Sequence, residues 1–175
     1  MTIEPTSDNH QLILKGLQST DLETVIETLE ELRVSGRTTD IPVLLELLHS
    51  TRNTEIKSKI VALFSNLKES DSVPFIIEAI QNQKYEPELK LLVSCCWENG
   101  LDYSKYLSIF VDLLIFSDFL IAFEAYTVIT NMTTTIDQAI IDIEIEKIDQ
   151  AMHATIVEKK ALMLDVVDFL PSIGF

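Results

Sequence analysis

Asp40-Ile-Pro-Val-Leu-Leu-Glu-Leu-Leu48 and Ser72-Val-Pro-Phe-Ile-Ile-Glu-Ala-Ile80 are two copies of one pattern, and their agreement decides the fold. Pro42 answers to Pro74 and Glu46 to Glu78, each at a spacing of 32. Between the copies lies a second pattern, Glu55-Ile-Lys-Ser-Lys-Ile-Val-Ala-Leu-Phe-Ser-Asn-Leu67, which returns 33 residues later as Glu88-Leu-Lys-Leu-Leu-Val-Ser-Cys-Cys-Trp-Glu-Asn-Gly100. Both open on Glu-apolar-Lys and close on aromatic-x-Asn, and a third copy closes on Ile129-Thr-Asn-Met132. A period of this length is the mark of a helical-repeat architecture, in which each repeat is one supersecondary unit.

Each repeat reads as two helices. Ile41, Leu44, Leu45 and Leu48 fall at i, i+3, i+4, i+7, a single apolar face, and Ile56, Ile60, Leu63, Phe64 and Leu67 do the same over the next three turns. Pro42 and Pro74 belong to a first turn, where a missing N–H breaks no hydrogen bond. Thr39-Asp40 and Asp71-Ser72 supply capping side chains just ahead of them. Laid along the chain, the template gives five units near 7–36, 39–69, 71–100, 102–132 and 134–171, all within one domain spanning 1–175. The first pairs 8–18 with 21–34, opened by a capping box at Thr20-Asp-Leu-Glu23 and stopped at Gly36. The third pairs 73–82 with 87–99, and the fourth pairs 104–116 with 119–132. Both helices of the fourth are apolar nearly all round, which predicts burial on two sides.

The fifth unit carries a conflict. Ile141-Asp-Ile-Glu-Ile-Glu-Lys-Ile148 alternates with period two, a strand signature, yet Ile141, Ile145, Ile148 and Met152 also make one helical stripe, with Ile136, Ile140 and Ile143 beside it. A lone strand would have no partner in such a chain, so the expectation is a helix, followed by a companion over 156–170 that ends at Pro171.

Composition agrees with this organisation. Four Gly and five Pro in 175 residues are too few for the turns of a β-sandwich or a doubly wound α/β fold. Asp and Glu number 28 against 13 Lys and Arg, a net charge of −15, which opposes nucleic acid and anionic lipid and suits a basic protein partner or plain solubility. The apolar run from Tyr106 to Met132 is interrupted by Asp112, Asp118 and Glu124, and Ser117-Asp118 starts a new helix, so two buried helices are expected rather than a membrane span. The opening MTIEPTSDNHQ has neither a basic start nor an apolar core, and cytoplasmic residence is the default expectation.

Pairs of helices of this size, with Asp and Pro opening the first and an apolar-rich second, resemble HEAT-like or armadillo-like repeats over roughly residues 20–170, most clearly over 40–132. The resemblance implies an all-α, right-handed superhelix (solenoid) of about five antiparallel helix pairs, used to bind protein. The basic residue usual in the second helix is present as Lys57 and Lys90 and absent from the fourth unit.

No chemistry-bearing motif accompanies the repeats. His10, His49 and His153 are scattered, and none sits in a His-Glu or HExxH arrangement; His49 falls at a helix end. Cys95 and Cys96 are adjacent on one helix, where an ordinary bridge is strained, and lack the CxxC spacing of a metal or redox site. There is no GxSxG, Gly-rich phosphate loop or Walker lysine. The expectation is a non-catalytic chain with no catalytic residues, no metal and no cofactor.

Candidate partner-binding residues are of two kinds. Asn66, Asn99 and Asn131 recur at steps of 33 and 32. The armadillo resemblance implies an asparagine ladder gripping an extended peptide, while their position at helix ends, with Asn99 directly before Gly100, favours helix termination. The resemblance also puts second helices on the concave side, where Glu27, Glu31, Glu55, Glu98, Glu124, Asp165 and Asp168 are the acidic positions. Asp137, Asp142, Glu144, Glu146 and Asp149 form a separate cluster. The expected function is an adaptor or scaffold whose acidic concave face takes a protein partner. The competing readings are an inhibitor or immunity-type protein masking a basic enzyme surface, and an enzyme with an unrecognised site. A monomer is expected, its apolar tail Phe169–Phe175 folded back, with a homodimer through an end repeat as the alternative.

Overall fold

The computed structural model describes residues 8–175, with side chains from His10 onward. The reading of residues 1–7 lies outside them. Ten α-helices run in order among the described residues: α1 (Asp8–Leu17), α2 (Leu22–Ser35), α3 (Ile41–Ser50), α4 (Thr54–Phe64), α5 (Val73–Gln81), α6 (Leu89–Glu98), α7 (Leu107–Phe116), α8 (Phe119–Thr130), α9 (Gln138–Met152) and α10 (Val157–Phe169). The chain is all-α, and it divides into two compact units, Met1–Asn66 and Leu67–Phe175.

In the first unit α1 packs on α2 and α3, and α4 packs on α2 and α3. Its core is drawn from the predicted stripes: Ile41, Leu44, Leu45 and Leu48 of α3 meet Ile56, Ile60 and Phe64 of α4. Gly16 lets α1 approach α2 closely, since a Cβ there would strike the side chain of Thr28. The expected capping box shifts by one residue, because Asp21 and not Thr20 caps α2, its carboxylate accepting from the Thr24 N–H at 3.0 Å.

In the second unit α5 packs on α6, α6 on α8, α7 on α8 and α9, and α10 on α7, α8 and α9. Tyr103, Phe110, Ile76, Leu92, Leu107, Leu114 and Ile129 are its large, fully buried side chains, with Tyr103 and Phe110 meeting edge to face at 5.9 Å between ring centres. Asp118 caps α8 as expected, accepting from the Ile121 N–H at 3.0 Å. Gly100 ends α6 in the left-handed region at φ 69°, the conformation a side chain disfavours.

Two expectations about helix starts need correction. Pro42 and Pro74 do lie in first turns, but neither Asp40 nor Ser72 caps its helix with a side chain. Each helix is entered through a 3₁₀ turn instead, Thr38–Asp40 and Ser70–Ser72, and the Asp40 carboxylate turns back to accept the Arg37 N–H at 2.9 Å.

The ambiguous period-two segment is helical. α9 buries Ile141, Glu144 and Ile148 and leaves Ile140 and Ile143 in solvent. Ile136, just ahead of it, pairs with the C-terminal tail: its N–H donates to the Ile173 carbonyl at 2.8 Å and its carbonyl accepts from Phe175 at 3.1 Å. The tail folds back, burying Leu170 and Ile173. No described helix is long and apolar enough to cross a membrane.

The expectation of all-round burial for the fourth unit does not survive. Phe116 at the end of α7 and Phe119, Leu120 and Phe123 on α8 are exposed. On α8 the small residues Ala122 and Ala125 face the neighbouring helices, fully buried, and the large rings face outward.

Candidate functional site

The three asparagines end helices by different means. Asn66 and Asn131 are exposed, and each amide nitrogen donates to the carbonyl four residues back, Ala62 and Thr127, at 2.8 Å. Each amide thus folds back on the last turn of its own helix, at position 131 onto a carbonyl that also accepts the Asn131 backbone N–H. Asn99 is buried; its amide donates to the Tyr103 hydroxyl at 3.1 Å while its oxygen accepts the Leu101 N–H at 2.9 Å. One asparagine therefore lies in the first unit and two in the second, and of those two only Asn131 reaches solvent.

The acidic candidates divide in the same way. Glu55 is exposed in the first turn of α4, where its charge favours the helix start. Glu27 and Glu31 are exposed on α2. In the second unit Glu98 is exposed at the end of α6, and Asp165 and Asp168 are exposed on α10. Glu124 is half-buried on α8 and accepts the indole N–H of Trp97 at 2.9 Å, which ties α6 to α8 at their outer edges.

Around these carboxylates lies what the acidic residues alone did not signal. Trp97 (39 % exposed), Phe119, Leu120, Phe123 (46 %) and Leu164 accompany Glu98, Glu124, Asp165 and Asp168 on α6, α8 and α10. Phe119, Phe123 and Tyr126 form a row along α8, with ring centres 6.4 and 6.1 Å apart. The local sequence holds one clue, since Ala122 and Ala125 mark the side where neighbours crowd in and so assign the rings to the other side.

Beyond Trp97 a small cleft opens between the last turns of α6 and α8, lined by Trp97, Asp102, Tyr103, Val128, Asn131 and Met132 among others. Asp102 is exposed and built for its charge. Burial works against the carboxylate, but hydrogen bonds from Ser104 and from the Thr134 hydroxyl at 3.0 Å outweigh it and hold the carboxyl below its ordinary range. At the floor, burial raises both the Cys96 thiol and the Tyr103 phenol far above their usual values, so both stay neutral.

Four of the five residues in the second acidic cluster make structural contacts, and the fifth, Asp149, is exposed. Asp137 caps α9 through the Ala139 N–H, Asp142 accepts from Gln138, and Glu146 accepts from Gln150. Glu144 is buried and pairs with Lys147 at 2.8 Å, and Lys147 also reaches Asp112 at 3.0 Å. Burial pulls Lys147 towards the neutral amine, and the two carboxylates more than reverse it, so Lys147 titrates above 10.5. Lys159 is a different case: buried at the start of α10, it donates to the Ile115 and Ser117 carbonyls at 2.6 and 2.8 Å, closing the C-terminal end of α7. Its burial lowers the pKa despite the Asp118 charge nearby.

The histidines do not converge. His10 Nδ1 lies 2.8 Å from the buried Asp40 carboxylate, His49 sits in the last turn of α3, and His153 is the exposed residue after α9. Among the described residues no group of three or more His, Cys, Asp and Glu could hold a metal ion.

No protein-family model and no curated protein matches the chain. An engineered protein of known crystal structure aligns with 93% of this chain and 79% of its own at 16% identity, with a TM-score of 0.46.

Proposed function

We propose that this chain is a non-catalytic protein-interaction module, an adaptor or scaffold of the HEAT-like or armadillo-like kind, that takes a basic protein partner on the solvent-facing side of its second helices, the concave face of such a stack. The observation that carries this reading is the solvent face of α8, where Phe119, Leu120 and Phe123 are exposed beside Glu124 and the Trp97 bonded to it, with Glu98 exposed on α6 and Leu164, Asp165 and Asp168 exposed on α10, the two helices that pack against α8. A row of large exposed apolar side chains opposes solubility and marks an interaction site. Aromatic residues at its centre and charges at its rim match the anatomy of protein interfaces.

The repeat architecture is part of the proposal. In the first unit α1 lies on α3 and α2 on α4; in the second, α7 lies on α9 while α6, α8 and α10 follow one another. These neighbours, first helix on first for α1–α3 and α7–α9 and second on second for α2–α4, α6–α8 and α8–α10, support a stack of about five helix pairs, although α5 packs on α6 alone among the α-helices. A net charge of −15 speeds encounter with a basic partner and discriminates against acidic ones.

Affinity capture from the native cell tests the reading. At low salt the chain should retain a basic protein that high salt releases, because exposed charge pairs are screened. Replacing Glu98, Glu124, Asp165 and Asp168 by their amides should abolish the capture. A partner that is itself acidic, and that survives both treatments, refutes the proposal. If the captured protein is an enzyme, a stoichiometric loss of its activity separates an inhibitor of the immunity type from an adaptor.

A further inference from the structure

We infer that the α8 face, together with the Trp97 cleft, is a docking site for an amphipathic, cationic helix of a partner protein, its apolar stripe lying on Phe119, Leu120 and Phe123 and one Lys or Arg side chain entering the cleft. The inference rests on the protein-binding reading and names the class of partner segment.

Three observations define the occupant. First, the apolar side chains form a narrow row and not a flat disc: the exposed Phe119 and Phe123 and the half-buried Tyr126 succeed each other along α8, with the exposed Leu120 beside them. A ridge of this length and width is matched by the i, i+3, i+4, i+7 stripe of a second helix. Second, the ridge has no cations of its own. From Tyr106 to Glu146 the sequence contains no Lys, Arg or His, so α7 and α8 present only carboxylates. On α10, Lys159 is buried in its contacts with Ile115 and Ser117 and Lys160 is half-buried, whereas Glu158, Asp165 and Asp168 are exposed, so carboxylates outnumber cations on its surface. A segment flanked by Lys and Arg is complementary to this border, and one flanked by Glu is repelled.

Third, the cleft at the end of the ridge has the features that hold a cationic side chain. The Trp97 indole offers a half-exposed ring. Its N–H is already given to Glu124 at 2.9 Å, which fixes the ring and places a carboxylate beside it. Asp102 lies on the lining with its carboxyl held in the charged form by Ser104, Thr134 and the nearby Lys105 charge, and the C-terminal, partially negative end of α8 borders the same space, that of α6 being already met by Lys68 at the Asn99 carbonyl. A guanidinium or ammonium entering there meets a ring face and an ionised carboxylate together.

The chain contains one tryptophan, so Trp97 emission reports on this cleft alone. The test uses the full chain and a synthetic peptide of roughly 18 residues, long enough to hold a helix, with Leu at i, i+3, i+4, i+7 and Lys or Arg on its borders. Saturable change of Trp97 emission is expected, with binding weakened at least about tenfold by Phe123→Ser or Phe119→Ser, a loss in the range of an interface anchor. Asp102→Asn should weaken the cationic peptide and leave a peptide lacking its terminal Lys or Arg unchanged. Val34→Ser, an exposed apolar site in the other unit, should change nothing. Circular dichroism verifies that each variant keeps its helices, and labelled-peptide anisotropy provides a second readout.

Equal binding of a composition-matched scrambled peptide, or of the Glu-bordered version, overturns the proposal by reducing it to bulk charge or bulk apolarity. So does sedimentation showing a dimer that Phe123→Ser dissolves, which would make a second copy the occupant, or co-flotation with phosphatidylcholine vesicles lost in the same variant, which would make it a lipid surface. Failure of the peptide alongside salt-sensitive capture of a basic partner unaffected by Phe119→Ser and Phe123→Ser removes this site and leaves the broader reading standing. Failure of both removes the two together.

Discussion

Two lysines of the second unit show how one side chain can take opposite roles. Lys147 is held by Glu144 and Asp112, which raise its pKa above 10.5, whereas Lys159 is buried against backbone carbonyls, which leaves desolvation dominant and lowers its pKa. The linkage signs therefore differ. The Lys147 contribution is complete below the unfolded pKa and is lost as pH rises through the raised folded value. The folded state disfavours the Lys159 cation, so its contribution grows as pH rises from the lowered folded value towards 10.5. Subtracting the stability of Lys147→Met from that of the native chain should give a difference that falls above about pH 10. The same subtraction for Lys159→Met should give one that rises in the alkaline range below it. Urea midpoints across that range check both slopes, and slopes of equal sign would contradict the assignment. At neutral pH, Lys159→Met should still cost about 1–3 kcal/mol, because the Ile115 and Ser117 carbonyls lose their donor in a buried place.

The elements were legible where their signals are local and obscure where a face had to be chosen. Asp118, Gly100 and the prolines at 42 and 74 marked helix ends because caps, left-handed turns and first-turn positions depend on a few neighbouring residues. Which way α8 faces was not legible, because a helix apolar all round has no preferred side, and only Ala122 and Ala125 distinguish the crowded from the open flank. The asparagine spacing was equally silent about use: the same residue donates to its own helix at positions 66 and 131 and is buried at 99. The tail is the element whose role is clearest in energy. Full burial of a Leu or Ile side chain is worth about 1.5–3 kcal/mol. Leu170 and Ile173 are both buried. Deleting residues 170–175 should therefore lower stability by roughly 3–6 kcal/mol in denaturant titration. It should also speed amide exchange at Ile136 and Gln138, whose N–H groups donate to the tail carbonyls of Ile173 and Phe175. Unchanged exchange at those two amides would show that the tail is not what protects them.

At the scale of the whole molecule, the repeat read along the sequence and the division into compact units answer different questions. The 32- and 33-residue spacing continues from one unit into the next, since Pro42 lies in the first and Pro74 in the second. Chain length favours the second unit as a body that folds alone, because surface-to-volume scaling makes a domain of about 60 residues marginal and one of about 110 comfortable. Residues 67–175 expressed alone should melt cooperatively with their helical signal intact, and residues 1–66 should be far less stable. A calorimetric scan of each fragment decides it, and two equally weak fragments would favour one indivisible domain. The two buried cysteines have a practical consequence at this scale. Cys95 and Cys96 are both enclosed, and burial holds the Cys96 thiol protonated. Because the thiolate is the reactive form, both native thiols should stay silent towards maleimide while the chain is folded. A cysteine introduced beside the α8 ridge could then carry a dye or a crosslinker with no prior removal of the native pair, and the onset of labelling at positions 95 and 96 would time the opening of the core.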